Sequence, residues 1–176
     1  MPMKTKLVFV TTLDGKITKW GDPHVFQWSS KADQTYFKKM WNDAKLIIMG
    51  SGTFNFDPVK PSSERLLVIM AKDPEKYKKY LVPGQLEFTN ESPKELYSRF
   101  EAAGHEEILV VGGAHVATSF LKDKLIDELS LSLEPKIFGS GGNFVIESQL
   151  DINLRLLTYE KANEEGTLIL NYEVIK

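Results

Sequence analysis

Glu107–Leu121, EILVVGGAHVATSFL, is the stretch from which the fold can be read. Ile108–Val111 is a run of β-favouring apolar residues, short enough for a buried strand and too short for a helix. The pair Gly112-Gly113 then breaks the strand. Ala114–Leu121 sets Val116, Ala117, Phe120 and Leu121 at helical spacing, with Lys122 and Lys124 closing the last turn, where cations suit the dipole. A buried strand, a glycine turn and a helix start together present bare backbone N–H groups at a positive helix end. That is a general arrangement for holding a phosphate, and a tight strand–helix turn with no ligand fits the same residues.

The rest of the chain narrows the choice. At 176 residues a single domain spanning 1–176 is expected, large enough for a substantial core. Hydrophobic residues make up 42% and charged residues 26%, which excludes collagen-like and disordered classes. A formal net charge of −2 leaves no nucleic-acid footprint. The absence of cysteine excludes disulfides, thiolate metal sites and a cysteine nucleophile, and fits a reducing, cytoplasmic location. The first apolar run, Leu7–Val10, is far too short for a signal sequence or a membrane span. His24, His105 and His115 share no ligand spacing, so no metal site is expected.

Taken in order, Lys6–Thr12 reads as a buried strand because its apolar residues run on instead of alternating. Leu13–Lys16 turns it into a short extended piece and then a loop through Gly21, Pro23 and His24. Ser30 caps a helix over about 31–43 whose Phe37, Met40, Trp41 and Ala44 share a face. Lys45–Met49 is the second buried strand, ending in Gly50-Ser51-Gly52-Thr53, a second strand–glycine–helix junction. Pro58 and Pro61 make 54–63 a loop after at most one turn. Arg65–Ala71 is a third strand, followed by a short helix to Tyr80 and a weaker strand at 85–89. Ser92–Glu95 is a capping box with proline at the first helical position of a helix over 93–103. In 126–135, Leu129, Leu131 and Leu133 alternate with Ser130, Ser132 and Glu134, a strand with one face covered. A glycine-rich loop at 138–146 precedes a hairpin of 153–161 and 167–175.

Alternation of strands and helices predicts an α/β fold: a mostly parallel central sheet, helices on both faces, and an antiparallel C-terminal edge hairpin. Ligands of such sheets sit beyond the carboxyl ends of the strands. Those ends are Thr12–Gly15, Gly50–Thr53, Ala71-Lys72 and Gly112–Ala114, so two glycine junctions and a polar strand end share one rim. This favours a nucleotide.

At this point the sequence resembles the dihydrofolate-reductase-like superfamily, and more closely the reductase domain of the bifunctional riboflavin-biosynthesis deaminase–reductase, as a stand-alone member. The matching pieces are TTLDGKIT (11–18), WSSKAD (28–33), AKLIIMGSGT (44–53) with FDP (56–58), and VVGGAHVATSFLKDKLIDELSLSLEPKIFGSGG (110–142). The resemblance implies a three-layer dihydrofolate-reductase-like fold, an NADPH-dependent reductase and a homodimer. It implies cofactor contacts from Gly50, Ser51, Gly52, Thr53, Gly112, Gly113 and Ala114, with Lys72 placed to read the adenosine 2′-phosphate. It assigns Lys16 and Asp57 as catalytic partners of the substrate, and makes Thr12, Asp14, Trp28 and Ser29 substrate-binding residues. Lys16 would donate to the oxygen that gains charge as hydride arrives.

The departures bear on the substrate. The early helix, KADQTYFKKMWNDA, lacks the arginine that reads the substrate phosphate in the riboflavin enzyme, leaving Lys31, Lys38 and Lys39 as point charges. Without cysteine there is no zinc-deaminase signature. The expected reaction is hydride transfer to a carbonyl or imine of a pyrimidine- or pteridine-like small molecule, as in reduction of 5-amino-6-(5-phosphoribosylamino)uracil. A dihydrofolate reductase and a catalytically inactive nucleotide-binding protein are the alternatives. For the former, Asp33 stands at the helix cap instead of one or two turns in.

Overall fold

The structure, a computed structural model, describes residues 1–176. Eight strands form one sheet in the order β4-β3-β2-β5-β1-β6-β8-β7. These are β1 (Lys4–Thr12), β2 (Leu46–Gly50), β3 (Leu66–Met70), β4 (Leu86–Thr89), β5 (Glu107–Val110), β6 (Glu128–Glu134), β7 (Asn153–Lys161) and β8 (Leu168–Ile175). Pairing is parallel from β4 through to β6 and antiparallel for β6–β8 and β7–β8. The expected parallel sheet with an antiparallel edge is therefore present.

The helices are α1 (Lys31–Asp43), α2 (Ser51–Phe56), α3 (Pro93–Ala102) and α4 (Ala114–Lys122). Alternation along the buried strands divides the core in two. Leu46, Ile48, Val68, Ile108 and Val110 pack with Leu96 and Phe100 of α3 and with Val116, Ala117 and Phe120 of α4. Val8, Ile47, Met49, Leu67, Ile69 and Leu109 pack with Phe54 of α2 and with Phe37, Met40 and Trp41 of α1. The result is three layers. The Ser92–Glu95 capping box forms as the sequence predicts, and Ser30 Oγ accepts from the Asp33 N–H at 3.2 Å.

As expected, the stretch after Thr53 stays helical for less than one further turn, through Phe56, before Pro58 ends it. Two other expectations shift. The short helix before Tyr80 is a 3₁₀ helix, Pro74–Tyr80. Lys124 lies beyond the last turn of α4, in the left-handed region at φ 56°.

The largest correction concerns β6. Its leucine face was expected to be covered and its serine face open, yet Ser130, Ser132 and Glu134 are at most 1% exposed. Helix α1 lies across them: Ser30 N–H donates to Glu134 Oε1 at 2.8 Å, Asp33 bonds Ser132, and Tyr36 Oη meets Ser130 Oγ at 2.8 Å. Thr167, ahead of β8, donates to Glu134 Oε2 at 2.8 Å. Alternation signals solvent only when nothing polar packs on the polar side, and here a polar helix face does.

Asp33 is 5% exposed, and burial is the main reason its carboxyl titrates above the usual aspartate range, reinforced by the Glu134 charge. A carboxyl raised in the folded state favours folding when protonated. That contribution is complete below the ordinary value of 3.8 and is lost as pH rises through the folded value. Asp33→Asn should therefore raise the melting temperature at neutral pH by a few degrees and change nothing near pH 3, in thermal melts followed by circular dichroism.

Candidate active site

The two strand–glycine–helix junctions touch. The Gly50 N–H donates to the Gly112 carbonyl at 2.8 Å, two residues past the last β2–β5 register pair, Ile48 with Val110. A Cβ on Gly50 would stand 3.0 Å from Val116 Cγ2, so the close approach of β2 to α4 needs a residue without a side chain. Gly112 takes φ +101°, and a Cβ there would stand 3.1 Å from the Phe9 ring. Gly113 is different: it caps α4 at φ −79°, and a Cβ on it would meet only Thr53 Oγ1, at 3.3 Å. A Cβ on Gly52 would meet nothing within 4 Å.

Beyond this contact opens a cleft of about 730 Å³, walled by Gly50–Thr53, Gly113–Val116, Met70–Asp73, Lys76, Tyr77 and Thr89–Glu91. The cofactor residues predicted from sequence converge here: Gly50, Ser51, Gly52, Thr53, Lys72, Gly113 and Ala114 all line it. Gly112 does not; its carbonyl is spent on Gly50. The first N–H groups of α4 have no intrahelical acceptor and face a space bordered by the Thr53 hydroxyl. His115 also lines the cleft. Residues that sequence reasoning missed come from the far wall. Thr89–Glu91 follow β4, a strand read as weak, and only its parallel pairing with β3 brings them to the rim. The Tyr77 ring stacks on Phe88 at 4.8 Å and 6°, and its hydroxyl accepts from Asn55 Nδ2 at 2.9 Å.

The predicted substrate residues gather elsewhere, over the ends of β1 and β6. Thr12 and Glu134 are register partners at those ends. The Thr12 hydroxyl donates to Asp14 Oδ1 at 2.6 Å, while Asp14 also receives the N–H groups of Phe138 at 3.2 Å and Gly139 at 2.7 Å. The Thr12 hydroxyl and these loop amides hold the Asp14 carboxyl down at about 2. Asp14 thus ties the glycine-rich loop to the β1 turn. Lys16 Nζ reaches across the same seam to Asn143 Oδ1 at 3.0 Å. Gly142 N–H donates to Thr18 Oγ1 at 2.7 Å, and Gly141, at φ +135°, has no room for a Cβ against the Thr18 carbonyl.

Trp28 stands edge-on to Phe138 at 5.1 Å and is 7% exposed; its indole N–H is buried without an acceptor. Ser29 is also buried and bonds Asp33. Asp57 is the C-cap of α2, exposed, with its N–H on the Thr53 carbonyl at 3.1 Å. None of Thr12, Asp14, Lys16, Trp28, Ser29 or Asp57 lines the cleft. The rim therefore has two parts: a cleft at β2, β3, β4 and β5, and a polar and aromatic cluster beside it at β1 and β6. No group of three or more histidine or acidic side chains could hold a metal ion, and no helix is long and apolar enough to cross a membrane.

Known proteins share this fold. The uncharacterized protein YwjB of Bacillus subtilis (strain 168) is 26% identical over 166 residues, covering 89% of this chain and 90% of its own. The deaminase/5-amino-6-(5-phosphoribosylamino)uracil reductase of Thermotoga maritima superposes with a TM-score of 0.75 at 18% identity, over 98% of this chain and 56% of that one. A dihydrofolate reductase from Enterococcus faecalis, complexed with NADP(H), superposes with a TM-score of 0.67 at 17% identity, over 98% and 97%. The fold is thus the dihydrofolate-reductase-like one expected from the sequence. The model of the RibD C-terminal domain matches residues 4–168, and the chain belongs to that family.

Proposed function

We propose that the protein is an NADPH-dependent reductase acting on a carbonyl or imine of a pyrimidine- or pteridine-like small molecule. The observation that carries this reading is the convergence of Gly50–Thr53, Gly113-Ala114 and Lys72 on one cleft at the carboxyl rim. The donor chemistry fits a dinucleotide. The free N–H groups of α4, the Thr53 hydroxyl and the open space at Gly52 suit a diphosphate, and Lys72 suits a further phosphate. The Tyr77 ring, backed by Phe88, offers a flat wall on the same side as Lys72.

A dinucleotide extends both ways from its diphosphate. With Lys72 and Tyr77 on the β3–β4 side, the nicotinamide half points toward β1 and β6, where Thr12, Lys16, Trp28 and Ser29 stand. A bound nicotinamide supplies the hydride. The chain supplies the rest: Lys16 holds an ammonium near the reacting oxygen or nitrogen, and Trp28 presents its free indole N–H to a ring acceptor. Asp57 stands exposed at the end of α2, outside the cleft, and this reading gives it no catalytic role.

The buried carboxyl of Asp33 favours a second reading, a dihydrofolate-type substrate. A carboxyl kept protonatable by burial, next to Ser29 and Trp28, suits the amino-substituted edge of a pteridine. The riboflavin-type reading asks for a cation at the substrate phosphate, which α1 meets only with lysines.

Fluorescence titration is expected to give micromolar NADPH binding and weaker NADH binding; no binding of either below millimolar overturns the reductase reading. NADPH oxidation with the ribosylaminouracil substrate or with dihydrofolate then separates the two substrates. Gly113→Val, whose side chain would fill the diphosphate's approach, should weaken NADPH by at least tenfold, roughly 1.4 kcal/mol, out of proportion to a modest loss in melting temperature from the crowding of Thr53 and the poorer helix cap. We also propose a homodimer through the C-terminal hairpin. All nine residues of β7 are exposed, among them Leu154, Leu156, Leu157 and Tyr159. Sedimentation should show a dimer, and Leu156→Asp should convert it to monomer.

A further inference from the structure

Strands β3 and β4 end side by side at the wall of the cleft. Met70 and Thr89 are register partners, and the Ala71 N–H still donates to the Thr89 carbonyl at 2.8 Å. Lys72 and Glu91 each stand two residues beyond that pair, and both line the cleft. Adjacent strands lie about 5 Å apart, so an ammonium and a carboxylate at these positions are within reach of one another. Left alone they would pair.

They do not, because Glu91 is already held. Arg99 on α3 donates from Nε to Glu91 Oε1 at 3.0 Å and from Nη2 to Glu91 Oε2 at 2.7 Å. The same Nη2 reaches Glu87 Oε1 on β4 at 2.6 Å, and the Thr89 hydroxyl adds a bond to Glu91 Oε2 at 2.8 Å. A guanidinium fork fits a carboxylate in this two-point manner, and α3 is fixed by its capping box one residue after Glu91. Lys72 enters no ion pair, while Lys76 reaches Asp73 at 3.6 Å. Lys72, at the rim end of β3, is therefore free, and the acid next to it is held from behind.

We propose that Arg99 is a positioning residue that sets dinucleotide specificity: by holding Glu91 it keeps Lys72 free for a phosphate on the adenosine ribose, favouring NADPH over NADH. The inference rests on the reading of the cleft as a dinucleotide site. Without Arg99, the Glu91 carboxylate turns to Lys72 and opposes the incoming phosphate. NADH carries a hydroxyl there, which meets no such repulsion and donates to a free carboxylate.

The test is fluorescence titration of NADPH and NADH with the intact chain, Arg99→Met, and Arg99→Met combined with Glu91→Gln. Arg99→Met is expected to raise the NADPH Kd about tenfold and leave the NADH Kd unchanged or lower. Adding Glu91→Gln should return the NADPH Kd to within about threefold of the starting value, a rescue that a merely structural role would not produce. Should Arg99→Met not fold, Arg99→Lys keeps a charge without the fork; its smaller loss of NADPH preference should be rescued in the same way. Equal weakening of both dinucleotides without rescue, or an NADPH preference that survives the loss of Arg99, overturns the inference alone. Failure of the unaltered protein to bind either dinucleotide overturns the dinucleotide reading and the inference together.

Discussion

The whole rim depends on how closely two chain reversals approach. The Gly50 N–H to Gly112 carbonyl bond locks the β2–α2 junction against the β5–α4 junction. A side chain at Gly50 would press on Val116 and separate them. With the two turns in contact, the unpaired N–H groups of α4 and the Thr53 hydroxyl border one space instead of two. A cleft wall of this kind is built from backbone, so its residues matter for what they lack.

The other half of the rim is built on opposite logic, from side chains committed to one another. Asp14 spends its carboxylate on Thr12 and on the Phe138 and Gly139 amides, clasping two loops that carry Lys16, Asn143 and Trp28. Helix α1 is held over β6 by Ser30, Asp33 and Tyr36, against Glu134, Ser132 and Ser130. Burying two carboxyl groups in that seam costs stability, and the shifted titration of Asp33 reflects it. Such a cost is common where a site is kept ready for a ligand.

The chain carries no cysteine for a zinc-deaminase signature and no arginine in α1, and it has a glycine junction after each of β2 and β5. Conversely, its far wall carries the Arg99–Glu87–Glu91 cluster, in which two acids share one guanidinium beside the cleft. The two parts of the rim thus differ in construction: the cleft rests on backbone geometry, and the β1–β6 cluster on individual side chains.

The sequence by itself determined the elements and most of the residues that meet at the cleft. Continuous apolar runs at 46–49, 66–71 and 108–111 are short enough to read as buried strands, and glycines after strands are local signals, because a turn's conformational demand falls on the residues that make it. Sequence also placed Gly50–Thr53, Lys72 and Gly113-Ala114 together, since all follow parallel strands. Tertiary structure alone decided the rest. The alternation in β6 looked like a solvent face, and only the packing of α1 turned it into a buried polar seam. Thr89–Glu91 entered the cleft through the register of β4 on β3, which no local pattern encodes. Asp14 looked like a substrate ligand and proved to be bonded to a loop 124 residues away. Pairings between distant segments depend on complementary surfaces, and those exist only once the chain has folded.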